Sequence, residues 1–269
     1  MARPWRIMGV LNVTPDSFSD GGEWFERADA IAHGRELVAE GAAILDVGGE
    51  STRPGSDPIP ADEEQRRVVP VIAALRDAGV QLSVDTTKVA VAHAAIAAGA
   101  SFVNDVTAFR AEPELAGLVA DARCECCLMH MRGTPRTMQD DPRYDDVVDD
   151  VRAFLEERAA FAIGEGIDEA RIAVDPGIGF GKTARHNLEL LARLDELAAL
   201  GFAVLLGASR KSFLGRITGR ADPHERVAAT VATSVLAVER GASIVRVHDV
   251  APTRDALLVT AATLGAHGA

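Results

Sequence analysis

The chain is poor in aromatic residues and in basic charge, and both shortages restrict what it can be. Phe, Trp and Tyr make up only 4% of its 269 residues, so Ala, Val, Leu and Ile must fill the core. Acidic residues outnumber basic ones by 40 to 28, which leaves a net charge of −12. Proteins that bind nucleic acids or membrane surfaces present a basic face. The charge balance therefore predicts that this protein binds neither.

Long apolar runs are also missing. A membrane-spanning helix needs about 20 apolar residues, and no segment of the sequence approaches that length. The first residues, Met-Ala-Arg-Pro-Trp, lack the apolar segment of a secretion signal. We expect a cytoplasmic protein.

Cysteine is scarce, with three residues clustered in CECCLMH beside His130. A metal site is one interpretation of Cys124, Cys126 and Cys127. The segment is also typical of a buried strand, in which alternate side chains face opposite sides, so Cys127 would point away from the other two. We favour this second interpretation, in which the cysteines are small hydrophobic residues.

Eight short apolar runs alternate with helical patterns along the chain. This order is typical of an α/β protein with a single (β/α)8 TIM barrel, here covering residues 1–269 as one domain. The runs are RIMGVLNV, AAILDVG, LSVDT, SFVNDV, CCLMHM, IAVDPG, AVLLGAS and SIVRVHD. The loops after strands 1, 2 and 5 exceed the usual length of a βα loop, and long ordered loops are commonly functional.

Polar residues follow nearly every run, where a barrel of this class places its active site. They are Asn12, Asp46, Glu50, Arg53, Asp85, Asn104, Asp105, His130, Arg132, Asp175, Arg210, Lys211, Arg246 and His248. Arg246 and His248 are two residues apart and should point the same way, towards the barrel mouth, because two polar groups buried against helices would be costly.

The stretch VDPGIGFGKT, residues 174–183, is rich in glycine but matches neither common phosphate-binding motif. Pro176 occupies the position where a P-loop requires its first glycine. Gly177, Gly179 and Gly181 alternate, whereas a dinucleotide fingerprint requires G-x-G-x-x-G. The motif instead places a carboxylate, Asp175, before a loose loop.

Eight segments at the strand ends, in this order, resemble the dihydropteroate synthase family of pterin-binding barrels. They are NVTPDSFSDGG, DVGGESTRPGS, VDTTK, NDV, LMHMRGTPRTMQ, DPGIGFGKT, GASRKSFLG and RVHDV. The resemblance implies a transferase of folate biosynthesis that joins 6-hydroxymethyl-7,8-dihydropterin pyrophosphate to p-aminobenzoate and releases pyrophosphate. It also implies a homodimer, and sulfonamides that compete with p-aminobenzoate.

The same resemblance implies a role for each matching residue. The pterin would be bound by Asp85, Asn104, Met129, Asp175 and Lys211, and the glycines after Asp175 would let the loop pass close to it. Pyrophosphate would be bound by Asn12, Arg53, Arg246 and His248, with Mg²⁺ on Asn12; p-aminobenzoate would be bound by Thr52, Pro54, Phe180 and Ser212. The residues expected to act in catalysis are Arg53, Lys211, Arg246 and His248.

The chain departs from the family's pattern after NDV, where a Ser-Gly step is common and this chain has Thr107, Ala108 and Phe109. We expect an altered backbone at the start of helix four and no effect on Asn104. Two alternatives remain open: a methyltetrahydrofolate-binding methyltransferase domain, which would not need STRPG or SRKS, and a pterin-binding paralogue without catalysis.

Overall fold

The computed structural model describes residues 5–14, 23–52 and 55–266. Its strands are β1 Arg6–Asn12, β2 Ile44–Gly48, β3 Gln81–Asp85, β4 Phe102–Asp105, β5 Glu125–Met129, β6 Ile172–Asp175, β7 Ala203–Leu206 and β8 Ile244–Val247. They pair in parallel, each with the next, and β8 pairs with β1. The expected closed (β/α)8 barrel is confirmed, with all eight strands in the expected segments.

Helices connect the strands on the outside of the barrel. They are α1 Glu23–Glu40, α2 Ala61–Leu75, α3 Val89–Ala98, α4 Leu115–Ala122, α5 Val147–Gly164, α6 Ala184–Ala192, α7 Leu194–Ala198, α8 Ser212–Thr218, α9 Val227–Glu239 and α10 Val250–Ala266. Glycine ends α3 at Gly99 and α8 at Gly219, both with positive φ. None of the described helices is long and apolar enough to cross a membrane.

The barrel interior is layered because successive side chains of a strand alternate between the interior and the helices. The middle layer is apolar and consists of Met8, Ile44, Phe102, Cys127, Ala173, Leu205 and Ile244. Below it, at the amino ends of the strands, Arg6 forms an ion pair with Glu125 at 2.7 Å. Two residues beyond the middle layer, at the carboxyl ends, four of the seven positions are polar: Asp46, Asn104, Asp175 and Arg246. The site therefore lies above an apolar layer that fills the middle of the barrel, here called the apolar plug.

The alternation also separates the cysteines as expected. Cys127 lies in the interior layer, whereas Cys124 and Cys126 pack in the large cluster between barrel and helices. Among the described residues, no group of three or more His, Cys, Asp or Glu side chains is arranged to hold a metal ion. All three cysteines are buried in hydrophobic clusters, and this burial confirms their interpretation as core residues.

Candidate active site

The centre of the barrel mouth is a network of buried polar groups from four strands. The Asp46 carboxylate of β2 is fully buried and accepts hydrogen bonds from Ser83 at 2.5 Å and from Asn104 Nδ2 at 2.9 Å. Arg246 of β8 donates from Nε to Asp46 at 2.6 Å and from Nη2 to Asp85 at 2.9 Å. Side chains that are far apart in sequence therefore converge at one point.

Arg246 points into the mouth, as its position in the strand predicted. Ile244, two residues earlier, belongs to the interior layer, while Val245 and Val247 pack towards the helices. Two carboxylates fix the guanidinium, and their charges raise its pKa, although burial opposes them. Arg246 is thus a permanent, immobilised cation.

Asp85 lies on the other side of that cation. Burial raises the pKa of its carboxyl group, the nearby Arg246 lowers it, and the charge of Asp46 raises it again. A carboxylate in this setting gains from any ligand that supplies further hydrogen-bond donors.

Asp175 ends β6 and is 5% exposed. Its Oδ1 accepts a hydrogen bond from the Gly177 backbone N–H at 2.7 Å. Burial nevertheless raises the pKa of this carboxyl group to about 6. Gly207 of the next loop carries no side chain, which leaves space beside Asp175 Oδ2 and the Arg246 stem.

The glycines after Asp175 are required by close packing within the protein. Gly177, Gly179 and Gly181 have φ of 68°, 83° and 64°, a region that other residues rarely adopt. A Cβ on Gly177 would overlap the carbonyl oxygen of His130, and one on Gly181 would lie 2.6 Å from that of Arg132. The glycines therefore let this loop pack closely on the loop after β5. The expected approach to the substrate stays a prediction.

Lys182, which follows these glycines, is buried beneath the loop. Its Nζ lies 2.8 Å from His130 Nδ1 and donates to the Phe180 carbonyl at 3.0 Å. Burial lowers the pKa of Lys182 to about 7 and that of His130 to about 2. A neutral His130 accepts the hydrogen bond, so the pair holds the loops after β5 and β6 together.

Lys211 reaches the cavity from the loop after β7. Its Nζ lies 4.1 Å from the centre of the Phe180 ring, a cation–π contact. Burial lowers its pKa to about 8. A side chain on Gly179 would meet the Lys211 stem at 3.2 Å, so the glycine also makes room for this lysine.

The other expected residues occupy different parts of the rim. Met129 is buried with Val106, Met131 and Met138, and Phe180 packs against this group. Thr52 is half-buried, and Ser212 is exposed as the first residue of α8. Arg53 and Pro54 lie outside the described residues.

Asn12 and His248 lie at the ends of β1 and β8. Asn12 is paired in register with Gly48, where a Cβ would lie 3.7 Å from Asn12 Oδ1 and 3.5 Å from the Asp85 Cβ. The glycine therefore leaves space between the amide and Asp85. His248 Nδ1 lies 3.0 Å from the Ser209 hydroxyl.

The loop after β2 is anchored from below by an ion network. Lys88 contacts Glu50 at 2.7 Å and the fully buried Glu64 at 2.5 Å. Glu50 also accepts a hydrogen bond from the Ile59 backbone N–H at 2.8 Å. Glu50 and Ile59, which flank Thr52 in the sequence, are thus joined to each other, and Glu50 is joined to Lys88.

At the Thr107-Ala108-Phe109 departure, Ala108 and Phe109 have φ of 53° and 61°, values that residues other than glycine rarely adopt. The Asp105 carboxylate supports this turn by accepting from the backbone N–H groups of Thr107 and Phe109, each at 2.7 Å. Asn104 remains at the mouth, bonded to Asp46.

Asp46 was expected among the polar residues of the mouth but without a role, and Lys182 was not predicted there. Asp46 carried a usable signal, because it is a charged residue at an inward position of the apolar strand Ile44–Gly48. Lys182 carried none, since its contact with His130 depends on how two loops pack.

Comparison with known proteins places this geometry among the pterin-binding enzymes, whose family model matches residues 8–248. The dihydropteroate synthase of Neisseria meningitidis serogroup B is 48% identical and aligns over 94% of this chain and 91% of its own. The Xanthomonas albilineans dihydropteroate synthase solved with 4-aminobenzoic acid has a TM-score of 0.91 at 52% identity and covers 97% of this chain and 93% of its own. The Yersinia pestis dihydropteroate synthase solved with a sulfonamide drug complex has a TM-score of 0.91 at 42% identity, covering 97% and 94%.

Proposed function

The chain belongs to the dihydropteroate synthase family of pterin-binding enzymes, and we propose that the mouth of its barrel holds both substrates and the leaving group of that reaction. The enzyme is a transferase that joins 6-hydroxymethyl-7,8-dihydropterin pyrophosphate to p-aminobenzoate, giving 7,8-dihydropteroate and pyrophosphate. The observation that carries the proposal is the convergence of Asp46, Asp85, Asn104 and Arg246 above the apolar plug.

The pterin site is proposed on Asp175, Asp85 and Asn104. A pterin presents an edge of N–H donors that a carboxylate accepts in parallel, much as it accepts arginine. One oxygen of Asp175 accepts a hydrogen bond from the Gly177 N–H, and the other oxygen borders the space beside Gly207. Asn104 donates one amide hydrogen to Asp46, which orients its remaining hydrogen and its oxygen for the ligand. Met129 and Lys211 complete this part of the cavity.

The leaving group is proposed to bind to Arg246, His248, Asn12 and Arg53. Negative charge grows on the pyrophosphate as its C–O bond breaks, and a cation that is already fixed stabilises this charge without reorganising. Arg246 meets that requirement because Asp46 and Asp85 hold it in place. The p-aminobenzoate nitrogen is a free nucleophile at neutral pH, so no strong general base is needed.

Mg²⁺ is proposed as the cofactor, with Asn12 as its protein ligand. The residues fit this ion: the Asn12 amide receives no hydrogen bond from any described residue, and Gly48 leaves space next to it. Mg²⁺ retains several waters and accepts phosphate oxygens, so one protein oxygen is sufficient. When bound, it would neutralise charge on the departing pyrophosphate.

p-Aminobenzoate is proposed to bind at the rim. Its expected contacts are Thr52 and Pro54 of the second loop, Phe180 of the loop after β6 and Ser212 at the start of α8. Lys211 lies over the Phe180 ring and supplies a cation at this junction. The Yersinia pestis relative was solved with a sulfonamide drug, and we propose that sulfonamides compete with p-aminobenzoate at this place.

A pyrophosphate-release assay tests the function. With both substrates and Mg²⁺, we expect pyrophosphate and 7,8-dihydropteroate in equal amounts, and no dihydropteroate when p-aminobenzoate is omitted. Pterin binding without turnover would instead indicate a non-catalytic paralogue, and methyl transfer from methyltetrahydrofolate would indicate the methyltransferase alternative.

A homodimer is proposed through the helices α6, α9 and α10, which pack side by side. Each exposes a large apolar residue: Leu188 is 46% exposed, Leu236 41% and Val259 67%. Sedimentation equilibrium should give twice the chain mass, and a Val259→Lys variant should shift the protein towards the monomer. A parent protein that is monomeric at micromolar concentration would contradict the proposal.

A further inference from the structure

The loops that follow β7 and β8 are joined by side chains next to the proposed catalytic residues. The two strands are neighbours, pairing Leu205 with Ile244. Ser209, which is 8% exposed, lies in the first loop, and His248 begins the second. The Ser209 hydroxyl accepts a hydrogen bond from the His248 backbone N–H at 3.2 Å and lies 3.0 Å from Nδ1 of its ring.

The hydrogen-bonding capacity of Ser209 decides the direction of the second contact. A serine hydroxyl has one hydrogen to donate and two lone pairs, one of which takes the His248 N–H. Within the described residues, no other group lies in position to accept the hydroxyl hydrogen. A buried hydroxyl makes its donor bond, so Oγ donates to Nδ1. A neutral imidazole that accepts at Nδ1 carries its proton on Nε2.

A second contact keeps the two loops in register. Arg210 binds the Asp249 carboxylate with two hydrogen bonds, of 3.0 Å from Nε and 2.6 Å from Nη2. The Arg210 backbone has a φ of 57°. Its N–H donates to Thr230 Oγ1, and its carbonyl accepts from the Arg226 guanidinium. Two-point arginine–carboxylate pairs fix geometry as well as charge. The pair joins the residue after Ser209 to the residue after His248.

We propose that Ser209 is a positioning residue that holds His248 as the Nε2–H tautomer, so that the ring donates a hydrogen bond to the departing pyrophosphate. The Arg210–Asp249 pair maintains the spacing on which this contact depends. The inference rests on the proposed role of His248 in binding the leaving group. The Nε2–H group of a neutral His248 ring can donate this hydrogen bond to the leaving oxygen, so the ring need not be protonated to an imidazolium.

The tautomer can be measured directly in the full chain. Long-range ¹H–¹⁵N spectra of ¹⁵N-histidine-labelled protein resolve protonated from unprotonated ring nitrogens, and a His248→Gln variant assigns the signal among the seven histidines. We expect Nε2–H in the parent and in Ser209→Thr, and a mixture of tautomers in Ser209→Ala. The parent with the proton on Nδ1 would overturn the inference.

Kinetics give the functional consequence. Single-turnover pyrophosphate release should be about 5- to 10-fold slower in Ser209→Ala, the equivalent of one hydrogen bond, and within about twofold of the parent in Ser209→Thr. The affinity of Ser209→Ala for a dihydropterin that lacks the pyrophosphate group should equal that of the parent. A general loss of structure would lower this affinity as well. If Ser209→Ala released pyrophosphate at the parent rate and kept the Nε2–H tautomer of His248, the inference would be overturned. The proposed leaving-group site would be unaffected by that result.

Failure of the underlying function has a different signature. Parent-rate release by His248→Gln would show that His248 does not serve the leaving group, and it would overturn the functional half of the inference even if the tautomer were as expected. Slow pyrophosphate release by both His248→Gln and Ser209→Ala supports the role of His248 in binding the leaving group and the role of Ser209 in positioning it.

Discussion

Replacing Asp175 by Asn should weaken pterin binding and stabilise the fold at the same time. The stability effect follows from the raised pKa, about 6 in the folded protein against an ordinary value of 3.8. Because this carboxyl group is harder to ionise in the folded protein than in the unfolded chain, its ionisation favours unfolding. The free energy of unfolding is therefore highest below about pH 4 and falls as the pH rises through 6. A shift of about two units corresponds to about 3 kcal/mol at pH 8. This figure is an upper bound on the gain, because Lys211 and Lys182 would lose the attraction of a nearby anion.

The binding effect has the opposite sign. The Asn amide oxygen can still accept the Gly177 N–H, so the loop should keep its path, but an amide N–H₂ would face the donors of the pterin. Losing a charge-assisted hydrogen bond and adding this conflict should cost about 2 to 4 kcal/mol, or roughly 30- to 1000-fold in affinity. In the parent, affinity for the dihydropterin should rise with pH through 6, where half of Asp175 is ionised, and level off above about pH 7.

Two measurements test this reasoning. Urea unfolding at pH 4 and pH 8 should show equal stability of parent and variant at the lower pH and a more stable variant at the higher pH. Calorimetry with the dihydropterin should show a pH dependence in the parent that the variant lacks. A variant less stable than the parent at pH 8 would mean that the neighbouring cations outweigh burial, and unchanged pterin binding would refute the assignment of Asp175.

The remaining predictions concern the leaving group, the order of binding and the glycine loop. Arg246→Ala should slow single-turnover pyrophosphate release by about 100-fold, or about 3 kcal/mol, with a smaller loss of substrate affinity; release at the parent rate would place the cation elsewhere. p-Aminobenzoate should bind in calorimetry only after pyrophosphate and Mg²⁺ are present, since the second loop completes its pocket, and equal affinity without them would show a preformed site. Gly177→Ala should lose more than about 3 kcal/mol in urea unfolding because its Cβ would overlap the His130 carbonyl, whereas Gly201→Ala, at φ 90° with open space around it, should lose about 1 to 2. Equal losses in these two variants would show that backbone conformation alone decides the cost.

Periodicity accounts for what was predictable about the fold. Apolar runs separated by helical patterns identify a parallel barrel, and the polar residue that ends each run lies at its mouth because all strands point the same way. The same alternation correctly assigned the inward direction of Arg246 and the separation of Cys127 from Cys126.

Prediction failed where a residue's role depends on a distant partner. The glycines after Asp175 pack on the carbonyls of His130 and Arg132, a contact that the sequence did not predict. The Lys182–His130 contact joins residues from two loops, and neither residue has a local pattern that identifies the other.

The sequence by itself determined the barrel, its direction and the set of polar side chains at its open end, because hydrophobic alternation and strand order are local properties of the chain. Only the tertiary structure decided how those side chains are paired. Closure of the barrel brings β8 beside β1 and sets Arg246 between Asp46 and Asp85, and the packing of adjacent loops sets Ser209 against His248. Such pairings depend on distances across the mouth, which exist only once all eight strands have closed.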